Sequence, residues 1–219
     1  MEGLYQNKYR IKSARLKGWD YGADAYYFVT ICTHEREHFF GRVMRDNGGD
    51  ASVALSGVGV VARDCWNKIP NHFENVILDE YMVMPNHFHG IIQICKYPVD
   101  DGHAKSVDIR YGGRRDVACN VSTVARTMGI DIKHTSHNER KKWMSKISPK
   151  SGSLPTIIRS FKSAVTKQCN DFEYDFKWQT RFYDRIIRNE ETLGKIHEYI
   201  KNNPNMWHRD KNNPEGIFM

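Results

Sequence analysis

The chain has 219 residues, of which 40% are hydrophobic and 12% aromatic, which is enough apolar material to bury the core of one domain. This composition excludes a globally disordered chain, and the lack of any run of about 18 apolar residues excludes a transmembrane helix. The basic first residues are not followed by the apolar stretch of a secretory signal, so we expect a cytoplasmic protein.

The positive charge of the chain is unevenly distributed. The net charge is +7 and the sequence pI is about 9.1. Residues 96–153 hold 12 Lys and Arg against 6 Asp and Glu, and such an excess of cations attracts polyanions, above all nucleic acid. Because this stretch also lacks hydrophobic periodicity, we interpret it as a basic insertion into a single domain spanning 1–219, with a core at about 20–207.

The cysteines do not form a recognisable framework. They are odd in number and scattered, and none forms a C-x-x-C pair: Cys32, Cys65, Cys95, Cys119 and Cys169. This pattern argues against both a disulfide scaffold and a cysteine zinc site. We expect each cysteine to be a small, reduced hydrophobic residue.

The first half of the chain predicts strands interrupted by one helix. Asn47-Gly48-Gly49-Asp50 is typical of a hairpin turn, Ser56 can cap a helix, and Pro85 marks a break between strands because proline cannot donate to a sheet ladder. The predicted strands are 25–33, 39–44, 51–55, 76–84 and 87–94, and the predicted helix is 58–69.

The second half predicts helices. An apolar stripe over 154–170 indicates an amphipathic helix, and a last helix begins after Asn189, whose side chain can cap it, and stops at Pro204. The alternation of strands and helices predicts an α+β sandwich with a sheet on one side and helices on the other.

His87-Phe88-His89 is the sharpest local chemical signal. Residues two apart on a strand point to the same face, so both imidazoles project together while Phe88 enters the opposite face. Paired imidazoles suit a divalent cation, and an added oxygen ligand would leave coordination positions open for a phosphate. The alternative interpretation is two histidines on a half-exposed strand, each hydrogen-bonded to its neighbours.

Tyr199 and Asn203 share a face of the last helix because they lie one turn apart. A tyrosine at this boundary can expose its phenol while its ring packs, and the neutral carbonyl oxygen of Asn203 is a ligand that a hard cation accepts. The alternative is a boundary tyrosine followed by an asparagine that ends the helix before Pro204.

Two separated stretches carry a family resemblance. Residues 81–92 (YMVMPNHFHGII) resemble the signature of the single-tyrosine HUH transposases of insertion sequences, the IS200-like group, and especially the REP-associated tyrosine transposases. The C-terminal half of that family is similar to residues 176–179 (FKWQ), 182–188 (FYDRIIR) and 199–204 (YIKNNP). The likeness runs from about 8 to 207, with 96–153 as the part that matches poorly.

The resemblance implies a fold and a function. The fold would be a ferredoxin-like sandwich with a central antiparallel sheet, helices on one side and the tyrosine on the C-terminal helix. His87, His89 and Asn203 would hold Mg²⁺ or Mn²⁺, and Tyr199 would be the nucleophile. Such enzymes nick and rejoin single-stranded DNA, with hairpin or palindromic ends, through a 5′-phosphotyrosine intermediate, and they act as monomers or as homodimers.

Two basic surfaces are candidates for holding the DNA strand. One is the polar face of the 154–170 helix, although an ordinary solvated face is an equal alternative. The other is the aromatic and basic segment 177–188, in which Tyr183 could stack on bases and is the next candidate nucleophile. The predicted DNA-binding residues are Arg159, Lys162, Lys167, Trp178, Gln179, Arg181, Arg185 and Arg188.

Two other functions stay open at this stage. One is a non-catalytic or domesticated protein that binds single-stranded or hairpin DNA and whose site is vestigial. The other is a zinc hydrolase that uses the two histidines with a water nucleophile, which would form no covalent DNA adduct and would not need Tyr199.

Overall fold

The structure is a computed structural model that describes residues 15–95 and 150–213. The predicted insertion at 96–153 therefore lies outside the described residues except for its last four positions. The strands are β1 (Ala25–Cys32), β2 (Gly41–Arg45), β3 (Ala51–Leu55), β4 (Val76–Met84), β5 (His87–Ile94) and β6 (Tyr183–Ile187). The helices are α1 (Gly57–Asn67), α2 (Leu154–Asp171) and α3 (Glu190–Asn202), and none of these described helices is long and apolar enough to cross a bilayer.

The central sheet has four antiparallel strands in the order β4-β5-β1-β6. The predicted hairpin is confirmed as β2 and β3, which within the described residues pair only with each other and join through the turn at 46–50. With β2 and β3 set aside, the order β-α-β-β-α-β and this strand order are those of a ferredoxin-like sandwich. The predicted α+β class and central antiparallel sheet are confirmed.

Both faces of the central sheet are covered. Tyr27, Val29 and Ile31 of β1 are buried on one face, where they join the main core with α1 and α2. The alternate face of the sheet forms a second, smaller core with Ile196 and Ile200 of α3. The prediction of helices on one side therefore holds for α1 and α2, whereas α3 lies on the opposite face because the central strands are apolar on both sides.

The ends of the helices follow from local sequence. The Ser56 hydroxyl accepts a hydrogen bond from the Gly59 amide (3.1 Å), and the Asn189 side chain accepts one from the Thr192 amide (2.8 Å). Both predicted N-caps are confirmed, since each satisfies an otherwise unpaired amide of the first turn. The last helix ends at Asn202, close to the predicted stop at Pro204, and its C-terminal turn lies near the start of β5.

Gly90 allows Trp66 to pack against β5 directly behind the two histidines. A Cβ atom at position 90 would lie 2.4 Å from Cζ2 of the buried Trp66 ring. We expect Gly90→Ala to lower the free energy of unfolding by about 1–3 kcal/mol, because the ring is enclosed and has no room to move. Chemical denaturation measures this loss. Gly194→Ala, on α3 with no atom within 4 Å of the added Cβ, is the control; equal losses in both variants would contradict the close packing.

Candidate active site

The two histidines lie at the centre of the sheet, on the face that α3 covers. β5 pairs with β1 so that His87 is opposite Cys32 and His89 is opposite Thr30. Both imidazoles are buried, with ring centroids 4.4 Å apart, while Phe88 packs on Trp66 on the other face. The predicted same-face arrangement is confirmed, and the alternative of a half-exposed strand is wrong for these two residues.

Asn86 determines which nitrogen of His87 faces the site. The Asn86 Nδ2 donates to the carbonyl oxygens of Arg36 (2.9 Å) and Asn212 (2.7 Å), so its Oδ1 is left to accept from His87 Nδ1 (2.9 Å). The Nδ1 of His87 therefore carries the proton, and Nε2 carries the lone pair that a metal requires. Thr30 Oγ1 lies 2.9 Å from Nδ1 of His89 in the same way. Such partners orient metal-binding imidazoles.

The last helix brings the predicted tyrosine and asparagine to the same place. The Tyr199 hydroxyl lies 3.2 Å from Nε2 of His89, and the Tyr199 ring packs edge-on against Phe28 with centroids 6.1 Å apart. Tyr199 is 43% exposed, whereas Asn203 is buried. The helix that carries Tyr199 packs on the sheet of its own chain, so Tyr199 meets His89 there, and Asn203 lies one turn later at the end of the same helix.

The structure adds Asp210, which sequence reasoning missed. Its Oδ2 lies 3.8 Å from Nε2 of His87, and one ligand atom from each of His87, His89 and Asp210 falls within 4.8 Å of the others. The other carboxylate oxygen, Oδ1, accepts a hydrogen bond from the Asn212 amide (2.7 Å). Asp210 follows α3 in an irregular segment, where no periodicity in the sequence indicates the direction of a side chain.

The electrostatics of this cluster fit a bound cation. Burial lowers the pKa of His87 to about 3, and burial and the neighbouring His87 lower the pKa of His89 well below its ordinary value. Both imidazoles are therefore neutral at pH 7, beside the buried carboxylate of Asp210. Among the described residues, Nε2 of His87 and Oδ1 of Asn203 are buried polar atoms without a hydrogen-bond partner, which is costly unless a ligand occupies them.

The environment of Tyr199 opposes ionisation of its phenol. Burial raises the pKa of Tyr199, the charge of Asp210 raises it further, and a hydrogen bond with the Asn203 side chain lowers it. A phenol with a raised pKa is a weak nucleophile at neutral pH and needs a nearby positive charge or a base to lose its proton. The cluster that fits a cation lies directly beside it.

The α2 residues predicted to bind DNA lie on the other side of the molecule. α2 packs into the main core together with Phe88 and Trp66, on the face of the sheet opposite His89 and Tyr199. On that helix Lys167 is exposed and Arg159 is half-buried. Any DNA bound by Arg159 or Lys167 would therefore be separated from Tyr199 by the sheet.

The contact between α2 and the segment that precedes β6 is made by Lys162, Trp178 and Gln179. The Lys162 ammonium donates to the carbonyl oxygens of Gln179 (2.6 Å) and Thr180 (3.3 Å) and lies over the Trp178 ring. The indole of Trp178 donates back to the Lys162 carbonyl (3.1 Å) and packs against Phe176. Burial lowers the pKa of Lys162 to about 8. These contacts favour a structural role for the Lys162 and Trp178 side chains over contact with DNA, whereas Gln179 takes part through its backbone carbonyl.

We expect Lys162→Ala to destabilise the fold without changing how DNA binding depends on salt. Loss of the two charge-assisted hydrogen bonds should cost about 1.5–3 kcal/mol of unfolding free energy, measured by chemical denaturation. Lys167→Ala, an exposed lysine on the same helix, is the control. A Lys162→Ala variant of unchanged stability, whose salt slope for single-stranded DNA falls by about 0.7, would instead make Lys162 a phosphate contact.

The three remaining predicted DNA-binding residues are exposed: Arg181, Arg185 and Arg188. Of these, Arg185 pairs with Phe28 across β6 and β1, so its side chain lies on the face that holds His89 and Tyr199. Tyr183 lies on the same face, opposite Thr30. The β6 edge therefore brings the predicted basic and aromatic segment close to the candidate active site.

The chain has similarities to known proteins. No protein-family model matches the sequence. Among solved structures, the chain is similar to a REP-associated tyrosine transposase bound to a REP hairpin, with a TM-score of 0.44, 14% identity and coverage of 83% of this chain and 67% of that one. It is also similar to a presumptive transposase from Deinococcus radiodurans R1, with a TM-score of 0.34, 14% identity and coverage of 86% and 97%.

One relative is similar over nearly the whole sequence. An uncharacterised protein of Haemophilus influenzae is 31% identical over 201 residues, which cover 91% of each chain. The match therefore spans both the His87-Phe88-His89 strand and most of the rest of the described fold. The chain belongs to the same family as this Haemophilus influenzae protein.

Proposed function

We propose that the protein is a metal-dependent transposase that nicks and rejoins single-stranded DNA through a 5′-phosphotyrosine at Tyr199. The observation that carries this proposal is the Tyr199 hydroxyl, which lies 3.2 Å from Nε2 of His89 at the end of a side chain that is 43% exposed. A tyrosine with only a packing role would not need its phenol beside a cluster of metal-ligand atoms. The motifs at 81–92 and 199–204, which resemble the single-tyrosine transposases, support the same assignment.

The donor set supports a divalent cation. His87, His89 and Asp210 would hold it, because one ligand atom of each converges on the same place, and Nε2 of His87 has no hydrogen-bond partner among the described residues. The carbonyl oxygen of Asn203, which is also buried without a hydrogen-bond partner there, is the further candidate ligand. Two imidazoles and two oxygens suit Mn²⁺, and Mg²⁺ is the more oxygen-preferring alternative. When bound, the cation would supply positive charge that neutralises a phosphodiester and favours the phenolate.

The residues of the chain would then divide the work of a transesterification. Tyr199 presents its oxygen to the phosphorus, and because the residue is 43% exposed its phenol proton leaves to water. The bond between tyrosine oxygen and phosphorus forms as the bond from phosphorus to the 3′ oxygen breaks, and the leaving 3′ oxygen takes up a proton. The phosphotyrosine keeps the energy of the phosphodiester, so a 3′-hydroxyl can attack it later without ATP.

An adduct assay tests the proposal. The flanking DNA of the gene is searched for imperfect palindromes, and the protein is incubated with Mn²⁺ and an end-labelled single-stranded oligonucleotide that covers such a sequence. We expect a labelled species that survives denaturing electrophoresis and depends on Mn²⁺. Binding without cleavage would instead support the alternative of a non-catalytic single-stranded or hairpin DNA-binding protein. Cleavage without an adduct would support a hydrolase that uses water.

A further inference from the structure

The edge strand β6 carries an exposed tyrosine in line with the candidate active site. Tyr183 pairs with Thr30, and Thr30 pairs with His89, so the three residues form one row across β6, β1 and β5. Residues directly opposite one another in such a row point to the same face of the sheet. With neighbouring strands about 4.8 Å apart, the Cα atoms of Tyr183 and His89 are separated by about 10 Å.

The path of α3 leaves this end of β6 uncovered. The helix begins just after β6, and it is held over β4 at the far edge of the sheet by His197 with Asp79 (2.8 Å) and by Lys201 with Glu80 (3.4 Å). Ile187, at the end of β6 next to the start of α3, is buried under the helix, whereas Tyr183 at the other end is 58% exposed. The half-buried Phe28 lies opposite Arg185 in the neighbouring strand and packs edge-on against the Tyr199 ring.

The opposite face of β6 keeps Tyr183 and Arg185 in this orientation. Asp184, whose side chain is only 3% exposed, pairs with Arg15 at 3.8 Å, and the same guanidinium lies 5.0 Å from the Phe182 ring centroid. These contacts hold the Asp184 side chain on the face of the sheet opposite the active site. Because successive side chains of a strand point to opposite faces, Tyr183 and Arg185 face the active site. Two positions along one strand are about 7 Å apart, which places a cation beside an exposed aromatic ring.

We propose that Tyr183 stacks on the base of a nucleotide next to the scissile phosphate and that Arg185 binds the phosphate beside it. The inference rests on the proposed function of Tyr199. The occupant is single-stranded DNA, because only an unpaired base presents a free face to an aromatic ring, and the neighbouring guanidinium matches the charge of its backbone. The strand enters across the β6 edge, over Phe28, toward Tyr199.

Equilibrium binding in a Tyr199→Phe background tests the inference without interference from cleavage. The probe is a single-stranded oligonucleotide from DNA flanking the gene, with 2-aminopurine beside the mapped cleavage position or, where no cleavage occurs, beside the palindrome. We expect Tyr183→Ala to weaken binding by about 5- to 150-fold, the loss typical of one stacked base. Tyr183→Phe should keep both the affinity and the quenching of 2-aminopurine, because the ring is retained.

Two matched variants define the controls. Tyr174→Ala removes a tyrosine of similar exposure (41%) that contacts Phe172, away from the row, and should leave binding unchanged. Arg185→Ala should reduce the salt slope for single-stranded DNA by about 0.7, the value for one lost phosphate contact. Equal losses in Tyr183→Ala and Tyr174→Ala would overturn the proposal.

The outcomes separate this inference from the proposed function. If the wild-type protein forms the adduct but Tyr183→Ala binds normally, the stacking site is wrong and the function of Tyr199 stands. If no adduct forms but Tyr183→Ala weakens binding and abolishes quenching, the stacking site stands and the nuclease assignment fails. If Tyr183→Phe, with Tyr199 intact, abolishes the adduct, Tyr183 is the nucleophile and the stacking proposal is overturned.

Discussion

Tyr199→Phe is expected to abolish the covalent DNA adduct while single-stranded DNA binding stays near the wild-type value. The substitution removes only the oxygen that lies 3.2 Å from Nε2 of His89 and keeps the ring that packs against Phe28. Loss of a covalent nucleophile typically lowers the rate by a factor on the order of 10⁶, so no adduct should be visible. The measurement is denaturing electrophoresis of a labelled oligonucleotide with Mn²⁺, beside a binding assay.

Tyr183→Phe is the matched control for this experiment, because within 15–95 and 150–213 Tyr183 is a second tyrosine exposed on the same face of the sheet. We expect it to form the adduct normally. The stability of Tyr199→Phe should fall by only about 1 kcal/mol, the value of one hydrogen bond, so a folding defect would not explain an inactive variant. An adduct formed by Tyr199→Phe would show that another residue is the nucleophile.

His87→Ala is expected to remove both metal binding and cleavage. A ligand present at about 100 times its dissociation constant stabilises a protein by about 2.7 kcal/mol, which corresponds to about 5–10 °C in the Tm of a domain of this size. We expect Mn²⁺ to raise the Tm of the wild-type protein by this amount and to leave that of His87→Ala unchanged. His87→Ala also removes a buried ring and its hydrogen bond with Asn86, so the measured quantity is the Mn²⁺-induced shift within each variant and not the Tm without metal.

Two further variants sharpen this result. Asp210→Asn keeps the size of the side chain and removes its charge, so the Mn²⁺-induced shift should shrink but not vanish. His72→Ala removes an exposed histidine that does not belong to the cluster and should behave like the wild-type protein. If Mn²⁺ raises the Tm of His87→Ala as much as that of the wild-type protein, the metal binds elsewhere. The exposed cluster of His34, Glu35 and Glu37 is then the first candidate site.

Short-range patterns in the sequence predicted much of the fold. The strands, the hairpin turn at 47–50 and the caps at Ser56 and Asn189 were predicted, because each depends on residues close in sequence. The same is true of the two pairs of candidate site residues. The two-residue repeat of a strand puts His87 and His89 on one face, and the turn of a helix puts Tyr199 and Asn203 on another.

Partners that come from distant segments could not be predicted in this way. Thr30 meets His89 only through the register of β1 and β5, and Asp210 reaches His87 from an irregular segment with no repeat to orient it. Lys162 and Trp178 form a polar and aromatic pattern typical of nucleic-acid contact. In the structure, however, their hydrogen bonds connect α2 to the segment before β6. A pattern of side chains does not specify which surface they will contact.

The sequence by itself determined the alternation that pairs the imidazoles of His87 and His89 and the helical turn that pairs Tyr199 with Asn203, because backbone geometry imposes both. Only the tertiary structure decided that these pairs meet, that Asp210 joins them, that α3 covers the second face of the sheet, and that Tyr183 stands in the same row as His89. The physical reason is that local periodicity sets the direction of a side chain, whereas strand register and packing set its neighbours.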